Sequence, residues 1–273
     1  MVVIGADGLF LRGVAILCVL GAMVSSLRAQ DPLESLQATV PPTAADCDEP
    51  CAAAMGRAAQ QLNAWAADTA WRLEAGTADE VLEDLSHLIR ADQRTQQVLA
   101  QLFRLRTQFV RLPADSPRRD RLRSYLAMTS SLIDLSGRLQ FHLGDAVETA
   151  SYRLESSATH FDALLQLLTS AKLTSGALTM SYVLFDPLPG SGGTPFPKRT
   201  KAKVLKLIRE TRAPQLLGDL ADFLREPNVD AELAVAAAEV IQHIGLPQRP
   251  RPNASDEAVL PPITAIQLRQ LLT

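Results

Sequence analysis

Two cysteines four residues apart are the most specific chemical feature of the chain. They stand in Cys47-Asp48-Glu49-Pro50-Cys51. In an oxidising compartment such a pair can form a short disulfide, with two free thiols as the alternative. Pro50 suits the first turn of a helix, and Asp48 or Glu49 suits its positive end. The spacing does not support covalent haem, because Ala52 follows where a histidine would be needed. Zinc would need two further ligands, and no paired histidines supply them. His87, His142, His160 and His243 lie outside any H-E-x-x-H pattern. Glu83/His87 and Glu239/His243 are each four apart and read as ordinary contacts on a helix face. There is no Gly-x-Ser-x-Gly elbow. Gly190-Ser191-Gly192-Gly193 lacks the Gly-Lys-Ser/Thr that completes a phosphate loop, and reads as a flexible connection. The sequence therefore nominates no catalytic residue, no metal ligand and no cofactor.

Basic residues gather in two runs. Arg104, Arg106, Arg111, Arg118, Arg119, Arg121 and Arg123 form the first, against Asp115 and Asp120. Lys198, Arg199, Lys201, Lys203, Lys206, Arg209 and Arg212 form the second, against Glu210. Arg118, Arg119, Arg121, Arg123, Lys201, Lys203 and Lys206 are the candidates for contact with an acidic protein partner, an acidic polymer or an anionic lipid. The bland alternative is a pair of solvated helix faces. The whole chain carries a formal charge of −3, and aromatics make up 5%. Both figures disfavour nucleic acid as the partner.

Behind these residues stands a chain of 273 residues that is 47% hydrophobic and 21% charged, with mean hydropathy +0.05. That composition can bury a core and is not that of a disordered chain. The first 29 residues read as an export signal, with the uncharged run Gly13–Val24 before a cleavage position after Ala29. An uncleaved N-terminal anchor is the alternative. Cleavage would remove Asp7, Arg12 and Arg28, taking the formal charge from −3 to −4. The expected product is therefore exported, periplasmic or secreted. Asn253-Ala254-Ser255 fits a glycosylation acceptor.

Proline and glycine divide the remainder. Residues 30–50 read as a linker, 51–186 as a long-helix region, 187–199 as a Gly/Pro loop, 200–246 as a second helical region, and 247–273 as a Pro-rich tail with a short amphipathic helix over Ile263–Leu272. Ala52–Ala75 is alanine-rich, with Met55, Ala58, Leu62, Trp65 and Ala66 on one face. Trp65 and Trp71 are placed on different sides of that helix. Thr77-Ala78-Asp79-Glu80 reads as a capping box. The polar run Ala91–Gln97 is a possible break in the next helix, and Gly144 in the one opened by Ser116-Pro117. Thr159 is the expected cap of a further helix. Ala177–Phe185 reads as helix, and Asp230 as the cap of the last one.

Residues 213–245 resemble a HEAT or armadillo-type helical repeat. Pro214, Leu216, Leu217 and Leu220, then Val229, then Ala236-Ala237-Ala238 with Val240, Ile244 and Gly245 carry the resemblance. The small alanines allow close helix packing. It covers about one repeat, and it implies a stacked-helix binding surface without enzymatic activity. The expected fold is all-α: a helical bundle or array, followed by a HEAT-like stacked helix pair or triple, with Pro-rich flanking segments. The expected role is a non-catalytic scaffold or adaptor for another extracytoplasmic protein. An enzyme with a groove between the helical regions, and a polyanion or membrane-surface binder using residues 104–123 and 198–212, are the alternatives.

Overall fold

The computed structural model describes residues 32–109, 111 and 116–245. The stretch read as an export signal, the tail from residue 246 on and Asn253 lie outside the described residues. Nine α-helices follow in order among the described residues: α1 (Pro32–Ala38), α2 (Glu49–Arg72), α3 (Ala78–Phe109), α4 (Ser116–Leu154), α5 (Ala158–Ala171), α6 (Thr174–Met180), α7 (Lys198–Thr211), α8 (Leu217–Phe223) and α9 (Ala231–Gly245). Single 3-10 turns lie at Ala44–Asp46, Ser181–Leu184 and Pro214–Leu216. The fold is all-α, an array of stacked helices.

Local chemistry sets the helix starts. Asp48 caps α2, its carboxylate accepting from the Cys51 N–H at 2.8 Å. Thr77 and Glu80 form the capping box of α3: the Thr77 N–H donates to the Glu80 carboxylate at 2.7 Å, and the Glu80 N–H donates to the Thr77 hydroxyl at 3.4 Å. Asp230 accepts from the N–H groups of Glu232 and Leu233 and caps α9. The cap of α5 is Ser157, not Thr159, which lies inside the helix. Ser157 also hydrogen-bonds to the His160 ring at 2.7 Å, anchoring the turn one residue pair earlier than the pattern predicts.

α2, α3 and α4 form a long three-helix bundle, α3 running antiparallel to the other two. Met55, Leu62 and Ala66 from α2, Val81, Leu85, Leu88 and Leu102 from α3, and Met128, Leu132, Leu139 and Leu143 from α4 are fully buried. Neither expected break occurs. Ala91 and Thr95 turn inward within the polar run, and the Thr95 hydroxyl donates to the Ala91 carbonyl, so the apolar face never lapses. Gly144 is flanked by buried Leu143, Ala146 and Val147, whose packing outweighs one glycine's helix penalty. Trp65 packs partly against the core, whereas Trp71 is 68% exposed.

The second layer is built on the end of the bundle. Arg153, in the last turn of α4, donates to the carbonyls of Glu74 and Gly76 and ties that end to the α2–α3 turn. α5 packs on α7, and α6 packs on α4 and α7. Gly176 opens this stack: a Cβ there would meet Leu168 Cδ2 at 3.0 Å, so α6 approaches α5 without a side chain between them. α9 lies against both α7 and α8, giving a stacked triple, although α8 is only seven residues long. The Gly/Pro loop is closed rather than free. The Leu188 N–H donates to the Thr194 carbonyl at 2.7 Å, and Gly190, Gly192 and Gly193 take positive φ to make the turn.

A polar layer crosses the bundle. Arg72 pairs with Asp84 across α2 and α3 at 3.2 Å. Gln96 donates to the Ser136 hydroxyl on α4 at 2.7 Å. Asn63 Oδ1 and Asp92 Oδ1 are both buried without a partner. Burial raises the Asp92 carboxyl above its usual range, against a smaller lowering by its hydrogen bond to Gln96. Folding thus favours the protonated acid. The stability tied to Asp92 is whole below the ordinary carboxyl pKa of about 4 and is lost as pH rises through the raised value. Asp92→Asn should lose less stability than the parent between about pH 4 and pH 7, read from Tm at each pH. Parallel pH profiles would contradict this assignment. Ala237, fully buried on α9, supplies a second check. Ala237→Asp should cost at least about 3 kcal/mol by burying an unpaired charge in the helix seam, and an unchanged Tm would refute that packing.

Candidate functional site

The basic residues do not form one surface. The first run lies where α3 ends and α4 begins. The second lies on α7, which docks on α5 and α6 beyond the last turn of α4. With 39 residues, α4 spans roughly 58 Å from its 1.5 Å rise per residue, so its two ends are far apart. Part of the second run is also engaged within the fold. Lys198 pairs with Asp230 at 2.8 Å and Glu232 at 2.6 Å, and Lys203 pairs with Asp162 at 2.6 Å. Lys201 donates to the Leu184 carbonyl at 2.6 Å and lies over the Phe223 ring, and partial burial lowers its pKa. Lys206 is exposed. In the first run Arg123 lies 3.7 Å from Asp120, and Arg119 is exposed. Arg118 is half-buried.

Arg121 and Arg123 do meet the cysteine segment. They line a cavity of about 550 Å³ together with Cys47, Asp48, Glu49, Ala52, Pro117, Asp120 and Ser124. Its charges are of mixed sign. The Asp48 carboxylate is already used as the α2 cap, and Asp120 faces Arg123. Cys47 and Cys51 are free thiols in this structure.

A second groove, of about 490 Å³, has a different character. It runs along the seam between the bundle and the second layer. α4 contributes Glu148, Ser151, Tyr152 and Glu155, α6 contributes Thr179, the following 3-10 turn contributes Tyr182, and the loop contributes Asp186, Pro187 and Pro189. Tyr152 is 63% exposed. The Tyr182 hydroxyl donates to a Glu155 carboxylate oxygen at 3.4 Å. Burial raises both the Glu155 carboxyl and the Tyr182 phenol, the latter further because of the neighbouring Glu155 charge. Phe196 is buried between Phe161 and Tyr182, with ring centroids 5.9 Å from each, and fixes the Tyr182 wall. No lysine, arginine or histidine of the described residues pairs with Glu148, Glu155 or Asp186.

Three carboxylates without a basic partner among the described residues thus lie beside two tyrosine rings, and ring faces and carboxylates both attract positive charge. The sequence reading did not single these residues out. Glu148, Tyr152 and Glu155 fall at i, i+4 and i+7, a spacing that places them on one helix face. Tyr182 and Asp186 join them only through the packing of α6 and the loop. His160 lies 3.5 Å from Asp79, while Glu83/His87 and Glu239/His243 form no ion pair. Among the described residues no three of His, Cys, Asp and Glu are arranged to hold a metal ion. No helix of the described residues is long and apolar enough to cross a membrane. Comparison of the chain with protein-family models, with curated proteins and with solved structures finds no match.

Proposed function

We propose that the protein is a non-catalytic, exported helical adaptor that holds another extracytoplasmic protein through the acidic, tyrosine-lined groove at the end of α4. One observation carries the reading: Glu148, Glu155 and Asp186 have no basic partner within the described fold, yet they flank the exposed Tyr152 ring. A lysine or arginine of a partner would supply the missing charge and gain the ring face. Stacking of α8 and α9 supports treating residues 213–245 as one repeat of HEAT or armadillo type. In that case the repeat serves to brace α7 and the loop that closes the groove. The export reading of residues 1–29 belongs to the same proposal. A polyanion-binding role is less well supported, because Lys198, Lys201 and Lys203 are spent on contacts inside the fold.

A photo-crosslinking residue at position 152 in the chain from residue 30 onward, incubated with native envelope extract, tests this. One partner should be trapped from position 152 and not from exposed Arg57 on α2. Glu148→Gln with Glu155→Gln should weaken the capture about tenfold while leaving helicity unchanged. Equal crosslinking from both positions, or capture unaffected by the double substitution, would overturn the groove assignment. Elution of acidic polymer or lipid alone at modest salt would replace it with the polyanion role.

A further inference from the structure

Cys47 and Cys51 flank the cap of α2, and the chain is folded so that both sulfurs face one strap. Cys47 immediately precedes the cap residue Asp48, and Cys51 lies in the first turn. The Cys51 N–H bond to the Asp48 side chain and the Ala52 N–H bond to the Asp48 carbonyl at 3.1 Å close the turn between them. The strap runs from α1 to the 3-10 turn at Ala44–Asp46. The Cys51 thiol donates to its Thr39 carbonyl at 3.1 Å, and the Cys47 thiol to its Thr43 carbonyl at 3.7 Å. Those carbonyls are themselves four residues apart. Cys47 is fully buried, while Cys51 is partly open to solvent. Thiols are weak donors, so giving up these two hydrogen bonds costs little.

We infer that Cys47 and Cys51 form an intramolecular disulfide that clips the strap and the start of α2 together as a permanent structural bond. Formation needs a disulfide-bearing oxidant, either a small-molecule disulfide or a thiol–disulfide oxidoreductase. The accessible Cys51 thiolate attacks the donor's disulfide, forming a mixed disulfide and releasing one donor thiolate. The Cys47 thiolate then attacks the Cys51 sulfur and releases the second. The two cysteine protons end on the donor's two thiols, so the pair is oxidised by two electrons and the donor reduced by two. Burial pushes the Cys47 thiol up to about 11, with the neighbouring Cys51 the next contributor, and burial raises Cys51 as well. Asp46 and Asp48 act in the same direction on both, and the Arg121 guanidinium opposes them at Cys47. Thiolates of high-pKa thiols are poor leaving groups, which works against reduction of the bridge. That separates it from a low-pKa redox centre, whose thiolate is stabilised.

The test is equilibration of the full chain, folded by circular dichroism, in a glutathione redox buffer, followed by alkylation and peptide mapping without reductant. The expected result is a peptide holding residues 47 and 51 as a cystine, two hydrogens lighter than the dithiol, with neither residue alkylated. Reduction should then lower Tm by about 4–8 °C, the scale for closing so short a loop in a domain of this size. Cys51→Ser should give the same lower Tm under oxidising and reducing conditions. Alkylation of both residues after equilibration, a stable glutathione adduct on Cys51, or a bridge to the chain's third cysteine, Cys18 in the run Gly13–Val24, or to a second chain would each overturn the inference.

Discussion

The continuity of α4 is the constraint on which the other parts depend. Its first turns line the cavity beside Cys47, with Arg121, Arg123 and Ser124. Its middle turns close the bundle, where Met128, Leu132, Leu139 and Leu143 are buried against α2 and α3. Its last turns carry Glu148, Tyr152 and Glu155 into the groove. A helix of this length has no stability of its own that would hold these three regions in register. Packing of its apolar face holds it, at roughly 2 kcal/mol for each fully buried leucine. A break at Gly144 would detach the groove wall from the bundle core.

The other end of the molecule depends on that rigidity. Arg153 ties α4 to the turn between α2 and α3, so the groove wall is fixed to two helices. Tyr182 is fixed from the opposite side by Phe196, which the closed Gly/Pro loop delivers. Lys198 bridges the start of α7 to the cap of α9 through Asp230 and Glu232. These contacts pre-organise the groove, so a partner's side chain would not have to order it. Lys198, Lys201 and Lys203 of the second run are engaged in such internal contacts, and among the described residues none of the run pairs with the carboxylates of the groove.

Much of this architecture is legible in the sequence. The capping box at Thr77, the cap at Asp230, the start of α2 at Asp48 and Pro50 and the opposite fates of Trp65 and Trp71 follow from local rules. Those rules concern neighbours within one turn, and the structure obeys them. The breaks expected at residues 91–97 and at Gly144 fail because propensity is local and weak. Buried Ala91 and Thr95, and the buried Leu143, Ala146 and Val147, outweigh it. Spacing likewise cannot disclose that Lys198, Lys201 and Lys203 turn toward Asp230, Leu184 and Asp162, because their partners lie on other helices. The groove was hidden for the same reason: half of it is a helix face, and the other half is brought there by the fold.

Amide hydrogen exchange across residues 139–150 is the most direct measure of this account, because it reports whether α4 is one helix at the point where its sequence is weakest. The account predicts that the amides around Gly144 exchange as slowly as those near Leu132, both opening only with the bundle as a whole. Rapid exchange confined to residues around Gly144, with protection on either side, would show two helices joined by a hinge and would contradict it.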